Sequence, residues 1–186
     1  MLFRSGVAYV AEAKKLVPGK PLRYVWNSHP HADHTGGLPA LVAEGVTIVT
    51  QKNNVKFLED ALNTPRTLLD DVLAKSPKKV KIEGIDKKKV FTDGTRTIEL
   101  HTLQNLPHAG DLMVVYLPKE KILFNADLYS PPAAGAAAPA PNVSARTLQA
   151  NIVKLKLDVQ KHVPAHGRVG TGAEFNAMFA GATKTQ

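Results

Sequence analysis

Apolar positions recur at helical spacing from Val7 to Val17, where Pro18-Gly19 stops the pattern. The apolar segment Leu22 to Trp26 reads as a buried strand that runs directly into a cluster of histidines. Gly36-Gly37 follow, then a short helix from about Leu38 to Glu44 and a strand from Val46 to Thr50. Two further helical stretches, Asn53 to Leu62 and Leu68 to Lys75, are separated by Thr64-Pro65. Period-2 alternation then takes over. Val80 to Ile85 and Lys89 to Thr92 read as strands, Asp93-Gly94 as a turn, and Thr95 to Leu103 as another strand. Leu112 to Leu117 and Ile122 to Asn125 form a hairpin through Pro118-Lys119-Glu120-Lys121. Ser144 suits the N-cap of a helix from Ala145 to Leu157; a short strand reaches Val163 and a last helix covers about Ala173 to Phe179. Strands mixed with helices, without internal repeats, make the fold α/β.

Length and composition narrow this picture. The chain has 186 residues, 44% of them apolar and 22% charged, which fits one folded domain spanning 1–186. No apolar run approaches the ~20 residues that cross a bilayer, and no signal-peptide pattern opens the chain. Cysteine is absent, which removes disulfides, thiolate metal sites and cysteine nucleophiles together. The segment Ser130 to Asn142 is Pro/Ala-rich and lacks large apolar groups, so it reads as a mobile surface loop.

The formal charge of +8 raises nucleic acid as a partner. Much of that charge sits between Lys75 and Lys89, where lysines alternate with valine and isoleucine and no aromatic residue is interleaved. That patterning describes a strand pair with one wet face, a solvated hairpin rather than a nucleic-acid groove.

The chemistry concentrates in His29-Pro30-His31-Ala32-Asp33-His34, with four metal-ligand side chains in six residues directly after a strand. If the chain is still extended there, His29 and His31 point the same way and can grip one ion. Asp33 and His34 follow as the backbone turns and face a second position. Imidazole and carboxylate donors suit zinc.

This run resembles the HxHxDH signature of the metallo-β-lactamase superfamily, and the resemblance extends from Val7 nearly to the C-terminus. It implies an αβ/βα sandwich of four layers and further ligands in a set order, each of which the chain supplies. His108, in Asn105-Leu106-Pro107-His108-Ala109-Gly110, matches the third histidine of the first metal. Asp127, ending Leu123-Phe124-Asn125-Ala126-Asp127, matches the carboxylate that bridges both metals. His166, in Pro164-Ala165-His166-Gly167, matches the last histidine of the second metal. By resemblance, then, His29, His31 and His108 form one site, Asp33, His34 and His166 the other, and Asp127 joins them. His101 and His162 lie in strand-like segments, match no ligand position and read as satisfied structural histidines. Two departures stand out: Ala109 follows His108 where the family often has Ser or Thr, and Ala126 precedes Asp127 where it often has Gly.

The resemblance implies two zinc ions per chain and a hydroxide, formed at neutral pH, that attacks an ester, lactone, thioester or amide carbonyl. Asp33 and Asp127 are the expected catalytic residues, Asp33 orienting the hydroxide or taking its proton. The partner is a small-molecule substrate. Iron-binding, oxygen-reducing branches of the family usually carry glutamate in place of the second motif histidine, and His31 argues against them. The alternatives are a metal-binding but catalytically weak domain acting as a binding module, and a small RNA nuclease. The segments around Arg23–His29, Thr92–Ile98 and Tyr116–Lys121 are similar to a bacterial group of general metallo-hydrolases without an agreed substrate.

Only 28 residues precede His29, whereas family members place several strands there, so the expectation is a truncated domain with its N-terminal strands missing. The opening Met1-Leu2-Phe3-Arg4-Ser5 matches the translation of a common sequencing-adapter end, which marks residues 1–5 as artefact on a metagenomic fragment. Missing strands would bare a sheet edge or face near Leu22 to Trp26, to which the chain would respond by forming homo-oligomers, by aggregating or by keeping a looser site. Localisation stays open between cytoplasm and periplasm, since any signal peptide would be lost with the missing segment.

Overall fold

The computed structural model describes residues 2–65, 67, 71–103, 106 and 108–180. Residues 68–70, part of one expected helix, and Asn105, Pro107 and Met1, which belong to expected motifs, lie outside the described residues. The chain divides into two compact units, one ending at Asp86 and the other starting at Lys87.

The first unit opens with α1 (Leu2–Leu16) and β1 (Tyr24–Trp26). The histidine run leads into α2 (Ala32–Thr35) and α3 (Leu38–Ala43), followed by β2 (Thr47–Gln51). A 3-10 turn (Lys52–Asn54) precedes α4 (Val55–Asn63); α5 (Val72–Lys75) and β3 (Lys81–Ile85) complete the unit. The three strands lie in the order β1-β2-β3, all parallel, with Val25 opposite Ile48 and Ile48 opposite Ile82. Parallel neighbours require crossovers, and the helical segments between them supply these. Leu38, Val42, Ile48, Leu58, Leu62 and Leu73 form the core on which Val25 and Ile82 pack.

The second unit contains β4 (Lys88–Thr92), β5 (Thr97–Thr102), β6 (Met113–Leu117) and β7 (Ile122–Ala126). Next come α6 (Val143–Leu155), β8 (Lys161–Pro164), β9 (Gly170–Thr171) and α7 (Gly172–Ala177). Its six strands run in sequence order, antiparallel except for the parallel pair β7-β8 that α6 bridges. The core gathers Leu112, Val114, Leu123 and Leu128 with Leu148 of α6 and Phe175 of α7.

Three expectations change. β3 and β4 are not a hairpin: β3 pairs with β2 in one sheet and β4 with β5 in the other. Alternation identified both as strands, but it carries no information about the partner. Lys78, Lys79, Lys81, Lys87 and Lys88 are exposed as expected, but in β4 Lys89 is half-buried and Val90 is the exposed one. The strand before His29 is an edge strand, and Tyr24 is 47% exposed rather than buried. Finally, α6 starts earlier than expected. Its N-cap is Asn142, whose side chain accepts from the Ala145 amide, and Ser144 lies inside the first turn.

Candidate metal centre

In the first unit, β1 delivers the chain to the histidine run and Asn27 fixes the exit. Asn27 N–H donates to Val49 O at 2.9 Å, extending the pairing with β2, and its side-chain amide donates to His34 O at 3.2 Å. Thr50 Oγ1 in turn donates to Asn27 Oδ1 at 3.4 Å. The buried Asn27 thus ties both ends of the loop to the sheet. His31 is extended (φ −64°, ψ 150°) and caps α2, so the backbone turns just where Asp33 and His34 follow.

The four side chains converge. His29 is fully buried, and its Nε2 lies 3.0 Å from His31 Nδ1. Ser28 Oγ sits 3.1 Å from His29 Nδ1 and 3.3 Å from His34 Nδ1. The shared hydroxyl engages Nδ1 of each ring and so helps to fix the orientation of both imidazoles. His34 Nε2 lies 3.3 Å from Asp33 Oδ2.

In the second unit, Asp127 follows β7 through Ala126, whose φ of +49° puts a non-glycine residue in the left-handed region. This gives a physical meaning to the glycine often found there in the family: glycine adopts that conformation without strain. The turn aims the Asp127 carboxylate between two imidazoles. Its Oδ2 lies 3.1 Å from His108 Nε2 and its Oδ1 lies 3.6 Å from His166 Nε2. A carboxylate offering one oxygen toward each of two imidazoles is what a bridging ligand requires, and with no thiolate in either group the donors suit a borderline or hard divalent ion. By the chemistry of the donor set, the residues fit a metal centre.

His101 and His162 lie in β5 and β8, as expected of structural histidines. His101 Nε2 is 2.8 Å from Glu99 Oε2. Burial lowers the His101 pKa against the opposing pull of Glu99. Burial would raise that of Glu99, but its bonds to Lys88 and His101 outweigh this and lower it. Neither histidine is fully satisfied, because the buried Nδ1 of His101 and that of His162 meet no hydrogen-bond partner among the described residues. Burial pushes the His162 pKa down to about 4. The Pro/Ala segment also differs from the loop expected: Pro131 and Pro141 are buried and only 133–140 is exposed throughout. Sequence reasoning passed over Ser28, Asn27, Ser130 and Arg168, since single polar residues in loops carry no pattern.

The chain is thus an α/β protein with two sheets and candidate metal ligands, histidines and aspartates, beyond its strand ends. The metallo-beta-lactamase superfamily model matches residues 3–166, and the chain belongs to that superfamily. No curated protein sequence matches the chain. Among solved structures, the chain is similar to a metallo-beta-lactamase from Pontibacter korlensis, with 20% identity, TM-score 0.63, and 96% of this chain and 77% of that one covered. It is also similar to the flavodiiron protein from Giardia intestinalis (20% identity, TM-score 0.67), covering 96% of this chain but 46% of that one. An archaeal superfamily protein from Sulfolobus tokodaii aligns at 18% identity and TM-score 0.57, over 90% of this chain and 70% of that one. These likenesses establish the metallo-β-lactamase fold. Among the described residues no helix is long and apolar enough to cross a membrane.

Proposed function

We propose that the chain is a dinuclear zinc hydrolase acting on a small-molecule ester, lactone, thioester or amide. His29, His31 and His108 hold the first ion, Asp33, His34 and His166 the second, and Asp127 bridges them. The single observation that carries this reading is the placement of Asp127 between His108 and His166, one oxygen toward each. Superfamily membership over 3–166 supports it, because that span includes all seven residues.

When bound, two such ions lower the pKa of a shared water toward neutrality and polarise the substrate carbonyl. The chain's own residues do the rest. Asp127 keeps the His108 and His166 imidazoles oriented, and Ser28 orients the His29 and His34 rings through their Nδ1 atoms. Asp33, exposed beside His34, receives the proton that the attacking water gives up and returns it to the leaving group. No serine or cysteine nucleophile takes part.

The likeness to flavodiiron proteins favours a second reading, a di-iron redox centre. His31 weighs against it, standing where that branch usually carries glutamate. One experiment separates the readings: elemental analysis of the purified chain, followed by assay over ester, lactone, thioester and β-lactam panels. About two zinc ions per chain, with hydrolysis abolished by a chelator and restored by zinc, is the expected result. Two iron ions with oxygen consumption would replace the hydrolase by the redox enzyme. Tightly held zinc without turnover on any panel would leave a binding module.

A further inference from the structure

Two loops of the second unit carry proposed ligands: Asp127 begins one and His166 lies in the other. His166 has a side chain 62% exposed, so packing does little to fix it, and Gly167 next to it takes a left-handed φ of 99°. Three ties nevertheless run from one loop to the other. Ser130 Oγ donates to the His166 carbonyl at 2.7 Å. Pro131 packs so closely on Gly170 that a Cβ there would lie 2.3 Å from Pro131 Cγ. Arg168 Nε donates to the Pro132 carbonyl at 2.7 Å.

The guanidinium is itself anchored. Its Nη2 bonds Glu174 Oε1 at 2.5 Å, and Glu174 closes a capping box with Thr171 at the start of α7. The bond from Arg168, followed by that from the Thr171 amide, holds the Glu174 carboxyl down at about 2. A planar fork that reaches a carbonyl with one nitrogen and a carboxylate with another is something lysine cannot reproduce.

We propose that Arg168, together with Ser130, is a positioning residue for His166, clasping the loop after Asp127 to the loop that bears this histidine. The inference deepens the dinuclear reading and rests on it for its consequence at the second metal. The clasp also explains why a Pro/Ala-rich segment begins with two ordered prolines: they are the surface that Gly170 and Arg168 grip.

Amide hydrogen exchange on the full, metal-free chain tests the clasp without any metal. Arg168→Ala is expected to raise exchange about tenfold in peptides covering 126–133 and 164–171 while α6 is unchanged, with Arg168→Lys between it and the native chain. Ser130→Ala, which removes one hydroxyl and no packing, is expected to act in the same peptides. Calorimetric titration with zinc supplies the functional arm: the second zinc should bind about tenfold more weakly in Arg168→Ala and the first, which shares only Asp127 with the loosened loops, should weaken clearly less. Exchange unchanged in both alanine variants overturns the clasp. So does exchange raised throughout the chain, or equal weakening of both zinc ions, either of which reduces Arg168 to general stability. A native chain that binds only one zinc sinks the dinuclear reading, while the exchange result still decides the clasp.

Discussion

His162 lies tilted against Phe175 with ring centroids 4.5 Å apart, and Tyr129 meets it edge-on at 5.3 Å. A strand histidine has become part of an aromatic core rather than a ligand, and burial lowers its pKa from 6.5 to about 4. The unfolded chain therefore binds a proton in a range where the folded chain refuses it. Folding stability from this residue is complete above pH 6.5 and is lost as pH falls from 6.5 toward 4, by about 3 kcal/mol in all. Urea unfolding of the native chain and His162→Phe at several pH values checks this. The difference between the two should change across that window, whereas a constant offset would show that His162 does not titrate on unfolding.

At Gly6 an added Cβ would sit 2.4 Å from Gly37 O and 2.8 Å from Gly37 Cα. These are backbone atoms of the segment leading from the histidine run into α3, so no side chain can swing away. Gly6→Ala should destabilise the chain by about 1–3 kcal/mol, the cost of overpacking. Gly37→Ala should cost less, since its nearest contact would be Gly6 Cα at 3.2 Å. Chemical denaturation of the two variants gives the order, and equal losses would contradict it.

The N-cap of α6 offers a sharper contrast. Asn142 Oδ1 accepts from the Ala145 amide at 2.8 Å, while Ser144 lies within the helix. Asn142→Ala should cost about 1 kcal/mol and Ser144→Ala only a few tenths. The reverse order in thermal or urea melts would restore Ser144 as the cap.

These cases show which features local sequence could disclose. The histidine run is local: an extended His31 and a turn after it follow from six consecutive residues, and the structure places their rings together. Most strands were legible from apolar runs and alternation, though the two-residue β9 was not. Their partners were not, because β3 joins β2 across the crossover of α4 and α5, and such pairing depends on how Ile82 packs with the distant Ile48, Leu58 and Leu73. The cap of α6 was misread because Ser and Asn are both good caps two residues apart. Arg168 was invisible for a related reason: its partners Pro132 and Glu174 lie on different elements. Ala126 departs from the glycine usual before the aspartate, and only its left-handed backbone shows why the family favours glycine there.

The last prediction concerns Asp127. If its two oxygens serve two ions, then Asp127→Ala removes a ligand from each, and both should weaken together. Loss of His166 should instead affect one ion only. The expected pattern is two zinc ions in the native chain, one retained in His166→Ala, and weak or no retention in Asp127→Ala, read by elemental analysis after dialysis. Asp127→Asn keeps the shape but removes the charge and one of the two donor oxygens, so it should retain at most one ion. Should His166→Ala and Asp127→Ala hold equal amounts of metal, Asp127 would serve a single ion, and the carboxylate's position between the two imidazoles would reflect hydrogen bonding alone.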